Sequence, residues 1–200
     1  MGLDISYHSG VEKVPDSEVP ENVKPYNDAY EKWERETEDS TLYHISEDTH
    51  FYNHLHPLET GWYKVYDVRD EDGYRGRTFR GGSYTGYNQW RNDLAESIGW
   101  LTGTQGAWES GEDYGPPFME LLNFSDSNGV IGSTVSKKLY NDFVDNEENV
   151  KKEVDSWYLK LHPTKEYDTS DMKWFNEKYD NFKEAFRVAS NSKFGFVHFF

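Results

Sequence analysis

The chain has 200 residues, 37 acids against 21 lysines and arginines, a net charge of −16 and no cysteine. That length fits one domain able to bury about 70% of its unfolded surface without covalent staples, and a 17% share of aromatic residues argues for a packed core despite the polar average. The missing cysteine excludes disulfides, thiolate metal sites and thiol nucleophiles, and the negative charge disfavours bulk nucleic-acid binding, whose affinity comes from cations neutralising phosphates.

The start, MGLDISYHSG, has neither the basic nor the apolar segment of a secretion signal. No run of about 18 apolar residues offers a span, so a cytoplasmic protein with no membrane partner is expected. Leu3–Tyr7 alternates and reads as a short strand. Val11–Pro25 is rich in proline and acid and reads as a loop. Tyr26, Tyr30 and Trp33 share one face of a short amphipathic helix ending near Glu38. Ser40–Pro57 is polar and histidine-rich without a clear period. The whole stretch 11–57 reads as an acidic, peripheral insertion in a single domain over 1–200. Gly61–Val68 alternates as a strand, Asp70–Gly73 is a turn, and Arg77–Arg80 suits the second strand of a hairpin.

The segment Phe79–Arg91, FRGGSYTGYNQWR, stands out. No acid occurs from Gly73 to Asn92, and five of the seven arginines lie between Arg69 and Arg91. Gly81, Gly82 and Gly86 bracket Ser83 and Thr85, which suit helix N-caps. Tyr87, Trp90, Leu94 and Ile98 then follow at helical spacing, predicting a helix of about four turns. Thr102–Pro117 reads as a Gly/Pro-rich loop and Phe118–Phe124 as an apolar, strand-like run ending in a polar turn. Ser133 caps a helix with Val135, Leu139 and Phe143 on its face; Val150, Val154, Trp157 and Leu161 mark another. Ser170 caps a third, carrying Phe175, Tyr179, Phe182, Phe186 and Ala189. The terminal FGFVHFF is apolar enough to need cover on both faces, which places it centrally in a sheet. The expected class is α+β: a small, mostly antiparallel sheet with four to five helices packed on it.

The glycine-rich segment has the chemistry of an anion site. Glycines let backbone N–H groups approach a ligand, and a helix N-terminus offers free donors and partial positive charge. Arg80 and Arg91 suit a two-pronged grip on phosphate, with N–H groups around Gly82 and Ser83 assisting. Tyr84, Tyr87 and Trp90 could stack a base. The segment is neither a Walker loop nor a dinucleotide fingerprint. The plainer alternative is a strand–turn–helix whose aromatics fill the core and whose arginines pair with acids. At the second turn, Asn123, Ser125 and Asp126 sit at the expected strand's end, where they could read hydroxyls or base edges; a self-satisfying Asx turn is the plainer reading there. Asp126 and Glu120 are the weak catalytic candidates.

His50, His54 and His56 form an H-x3-H-x-H cluster, but the spacing fits no zinc motif and Pro57 favours a solvated loop, so no metal and no cofactor is expected. His8 and His198 lie on two predicted strands and suit a core pair. The acidic tract Glu12–Asp48 could imitate phosphates toward a basic partner, with a solvated face as the plainer reading.

Met1–Ile5, Phe79–Arg91, Pro117–Gly132 and Val135–Phe143 together carry an MGLDI start, an FRxGSYxGYxxWR block, a PFxELxNFSDxxGxIG block and a VSxKLxxDF helix. These blocks, with the similar Trp174–Val188 helix, resemble an uncharacterised family of small bacteriophage and prophage proteins. The resemblance implies a phage accessory protein acting on host defence in the host cytoplasm. Three functions are then in play: sequestration of a small anionic, nucleotide-like ligand such as a host immune signal; a hydrolase or lyase that degrades it; and an acidic inhibitor of a host defence protein. No feature of the sequence sets the oligomeric state.

Overall fold

The computed structural model describes residues 2–19, 34–36, 40–45, 59–66, 77–111, 115–124, 129–161 and 170–200. Among them, in chain order, are β1 (Gly2–His8), β2 (Val11–Val14), β3 (Glu34–Glu36), β4 (Ser40–Ile45), β5 (Gly61–Tyr66), β6 (Arg77–Ser83), α1 (Tyr84–Ser97), α2 (Thr104–Glu109), α3 (Met119–Leu122), β7 (Gly129–Gly132), α4 (Ser133–Leu161), α5 (Ser170–Ala189) and β8 (Phe196–Phe199). The class is α+β, as the sequence predicts. The strands form two four-stranded sheets rather than one, ordered β6-β1-β8-β7 and β2-β5-β4-β3.

β8 is central in the first sheet, flanked by β1 and β7, and pairs antiparallel with both. All four of its residues are buried, which is the cover that so apolar a strand requires. His8 and His198 do lie on these neighbouring strands, both buried, and His8 Nε2 sits 3.1 Å from Ser6 Oγ. In the second sheet β5 pairs antiparallel with β2 and β4, and β3 closes the edge on β4.

Several sequence expectations change. Val11–Pro25 is not all loop: Val11–Val14 is extended and pairs with β5. The helix ending near Glu38 is contradicted at Glu34–Glu36, which is extended and paired with Thr41–Tyr43; 26–33 lie outside the described residues. β6 is not the hairpin partner of β5, because the two belong to different sheets. The two helices expected over 133–161 are one helix of 29 residues, since Val135, Leu139, Phe143, Val150 and Val154 keep one buried face with no breaker between them. The Thr102–Pro117 loop contains α2. Phe118–Phe124 is not a strand. Phe118 takes a left-handed conformation (φ 61°) and opens the single turn of α3, its N–H held by Asp142 Oδ2 at 2.8 Å. A short apolar run cannot distinguish a strand from a buried helical turn.

The chain divides into two compact units. The first, Met1–Leu3 with Gly81–Asp126 and Leu139–Glu184, is helical and aromatic inside. Trp90 stacks on Phe182 with centroids 4.7 Å apart, and Phe143 meets Phe118 and Tyr179 edge-on at 4.8 and 4.7 Å. Buried polar tips find acceptors: Trp90 Nε1 donates to Phe175 O (3.3 Å) and Tyr179 Oη to Phe143 O (2.6 Å). The second unit, Asp4–Arg80, Ser127–Lys138 and Ala185–Phe200, holds the core of Tyr43, Ile45, Tyr63, Val65, Val130 and Phe196. Residues of the acidic 11–57 stretch therefore contribute buried side chains to this core.

Candidate functional site

Phe79–Arg91 folds as the strand–turn–helix that the sequence predicts. Ser83 is the N-cap of α1, accepting from Gly86 N at 3.0 Å. Gly82 has φ +104°, a backbone that favours glycine, and a Cβ there would stand 3.1 Å from Lys178 Nζ. That lysine is 5% exposed, lies over the Trp174 ring and donates to Gly81 O. Burial holds its ammonium below the usual lysine range. The cation against the glycine turn is thus the protein's own.

The side chains named for ligand contact separate. Tyr87 and Trp90 are fully buried, so they do not stack a base; they fill the core of the first unit. Arg91 is also buried and does not reach outward. Its guanidinium donates to the carbonyls of Leu122 (2.9 Å) and Phe124 (2.5 Å) and to Asn88 Oδ1, and it lies 5.0 Å from the Tyr87 ring. Arg91 therefore binds carbonyls that α3 leaves without helical partners. Arg80 is exposed and pairs with Asp4 at 3.4 Å. Tyr84 is half-buried at the first position of α1.

Asn123 does not follow a strand. Asn123 is the C-cap of α3 and nearly buried, and Glu120, within α3, is 1% exposed, which removes Glu120 from contact with a substrate in solution. Ser125 and Asp126 lie outside the described residues, as do His50, His54 and His56. Among the described residues, no group of three or more histidine or acid side chains is set to hold a metal, and no helix is long and apolar enough to cross a membrane.

A different cationic site forms in the second unit. A cavity of about 170 Å³ is lined by Tyr7–Gly10 at the end of β1, Val65 and Tyr66 at the end of β5, Arg77 at the start of β6, and Arg187, Val188 and Asn191 around the end of α5. The turn is held by Val11 N donating to Ser9 O (3.0 Å) and Tyr66 N to Gly10 O (2.8 Å). Arg187 stands in the last turn of α5, where a cation is favoured by the helix dipole. Both arginines also make interactions within the protein. Among the described lining residues there is no carboxylate. Tyr66, 44% exposed, stands at the rim and donates to Glu12 at 2.8 Å.

Arg77 belongs to the arginine-rich window that the sequence marks. Arg187 carries no local signal; only the packing of the last turn of α5 brings it to the same cavity.

Comparison of the chain with protein-family models, with curated proteins and with solved structures gives no match.

Proposed function

We propose that the protein binds a small anion between Arg77 and Arg187. One observation carries this reading: in a chain of net charge −16, two guanidinium groups from distant segments line one cavity whose described walls hold no carboxylate. An anion in this cavity would accept charge-assisted hydrogen bonds from guanidinium groups, which present several donors in a fixed fork. The cavity holds a phosphate- or carboxylate-sized head, about 170 Å³. The remainder of a larger ligand would lie outside, where the exposed Tyr66 ring offers a stacking surface.

The resemblance of the sequence blocks to phage proteins supports one class of anion, a nucleotide-derived host signal, held intact and so withdrawn from its receptor.

The test is calorimetry with inorganic phosphate and with linear and cyclic nucleotides. Ligand is then recovered by denaturation and identified. The wild type is expected to bind at least one phosphorylated compound and return it unaltered. Arg77→Ala and Arg187→Ala should each weaken binding about tenfold or more, the loss of a hydrogen bond to a charged group. Wild-type affinity in both variants, or no binding to any compound, would discard the site; chemical change of the recovered ligand would replace sequestration with catalysis.

A further inference from the structure

The first unit contains a second, larger cavity of opposite character. It measures about 620 Å³, within the range of sites for small organic ligands. α1 lines it with Gln89, Asp93 and Glu96, α4 with Trp157, Tyr158 and Lys160, and α5 with Trp174. Three aromatic rings and two carboxylates face one space, with a single lysine opposing them.

Their arrangement is ordered from within. Gln89 Nε2 donates to Asp93 Oδ1 at 2.8 Å, and Tyr158 Oη donates to Oδ2 at 3.5 Å, which fixes the Asp93 carboxylate against the aromatic wall. Glu96 is one turn further along α1 and solvent-exposed. Burial raises the Asp93 carboxyl above the usual aspartate range, opposed by the Gln89 bond and reinforced by the neighbouring Glu96 charge. Among the described residues, no ion pair joins Lys160 to either carboxylate. Among the described residues, the two acids thus share an aromatic cavity with Lys160 as its one cation, paired with neither.

Aromatic faces carry negative electrostatic potential and attract a cation, the more strongly when it is partly desolvated. Trp174 already holds one ammonium in this way, since Lys178 Nζ lies 5.2 Å from its ring centroid. A neutral ligand could donate hydrogen bonds to the two acids but would gain no charge attraction, and an anion would be repelled by them.

We infer that the cavity between α1, α4 and α5 is a binding site for an organic cation of the alkylammonium class, with Trp157, Tyr158 and Trp174 surrounding its carbon shell and Asp93 and Glu96 neutralising its charge. This site is independent of the arginine-lined cavity. Lys160, exposed at the end of α4, is the one described lining residue that opposes the ligand. It therefore supplies a sign test.

The probe is tetraethylammonium chloride, titrated into the full-length protein by calorimetry against sodium chloride at equal ionic strength. The wild type should bind it saturably. Glu96→Gln, at an exposed position that leaves the fold intact, should weaken binding about threefold, the scale of an exposed charge pair. Asp93→Asn should weaken it about tenfold, the scale of a better shielded charge contact. Lys160→Gln should tighten it. Heats indistinguishable from those of sodium chloride would overturn the assignment. So would equal affinity across the three variants, or a Lys160→Gln protein that binds the cation more weakly.

Discussion

Arg91 shows how far a residue's role depends on what surrounds it. On a helix surface it would be an anion grip; here it is buried and spends its guanidinium on the Leu122 and Phe124 carbonyls and on Asn88. Replacing it by methionine keeps apolar bulk but leaves those buried acceptors unsatisfied. Arg91→Met should therefore lower unfolding stability by about 3 kcal/mol, read from urea denaturation, while the folded fraction still binds whatever the Arg77–Arg187 cavity binds. A stable variant that had lost anion binding would return Arg91 to the ligand. Lys178 is a parallel case. Its ammonium is buried over Trp174 and donates to Gly81 O, so it supports the glycine turn rather than offering a free cation.

Among the elements, the join between α5 and β8 decides the second unit. Val188 and Ala189 are buried, and the chain must reverse within Ser190–Gly195 to deliver Phe196–Phe199 to the centre of a sheet. Gly195 makes that reversal possible by close approach: a Cβ there would stand 2.0 Å from Ala189 O and 3.0 Å from His8 O. Neither is a flexible side-chain end, so the backbone would have to shift. Gly195→Ala should destabilise the protein by about 3 kcal/mol, at the upper end of overpacking costs, with a lower melting temperature as the readout. Because Arg187 and Asn191 flank the same join, the variant should also disturb the anion cavity. Unchanged melting would show that the turn has room to spare. α1 rests on a milder device, the Ser83 cap, whose side chain satisfies Gly86 N.

For the molecule as a whole, charge is unevenly spent. The net −16 sets a repulsive background, against which one cavity gathers two arginines and another gathers two acids among aromatic rings. Self-repulsion of this size opposes the compact state and is screened by salt. Raising ionic strength from about 0.01 M to about 0.15 M shortens the screening length from roughly 30 Å to 8 Å. The urea midpoint should accordingly rise with sodium chloride. A midpoint that fell or stayed level would mean that the attractive pairs, such as Lys151 and Lys183 with Glu147, outweigh the repulsion.

Much of the architecture was legible locally. The alternation of Leu3–Tyr7 and Gly61–Tyr66, the aromatic stripe of Phe175–Phe186, the Ser83 cap and the apolar terminus each declare an element through its own period, and a strand as apolar as Phe196–Phe199 has to lie inside a sheet. Even the arginine-rich window was visible as a departure from an acidic background. Partnership was not. Whether Phe118–Phe124 is strand or helical turn, whether Arg91 faces solvent or carbonyls, and that Arg77 and Arg187 line one cavity are decided by contacts between residues far apart in the chain, which no local period encodes. Composition and spacing determined many of the elements and which residues carry charge; tertiary packing alone determined the remaining elements, which of those charges are buried by the protein itself and which line the cavities, because burial and proximity belong to the folded chain and not to any segment of it.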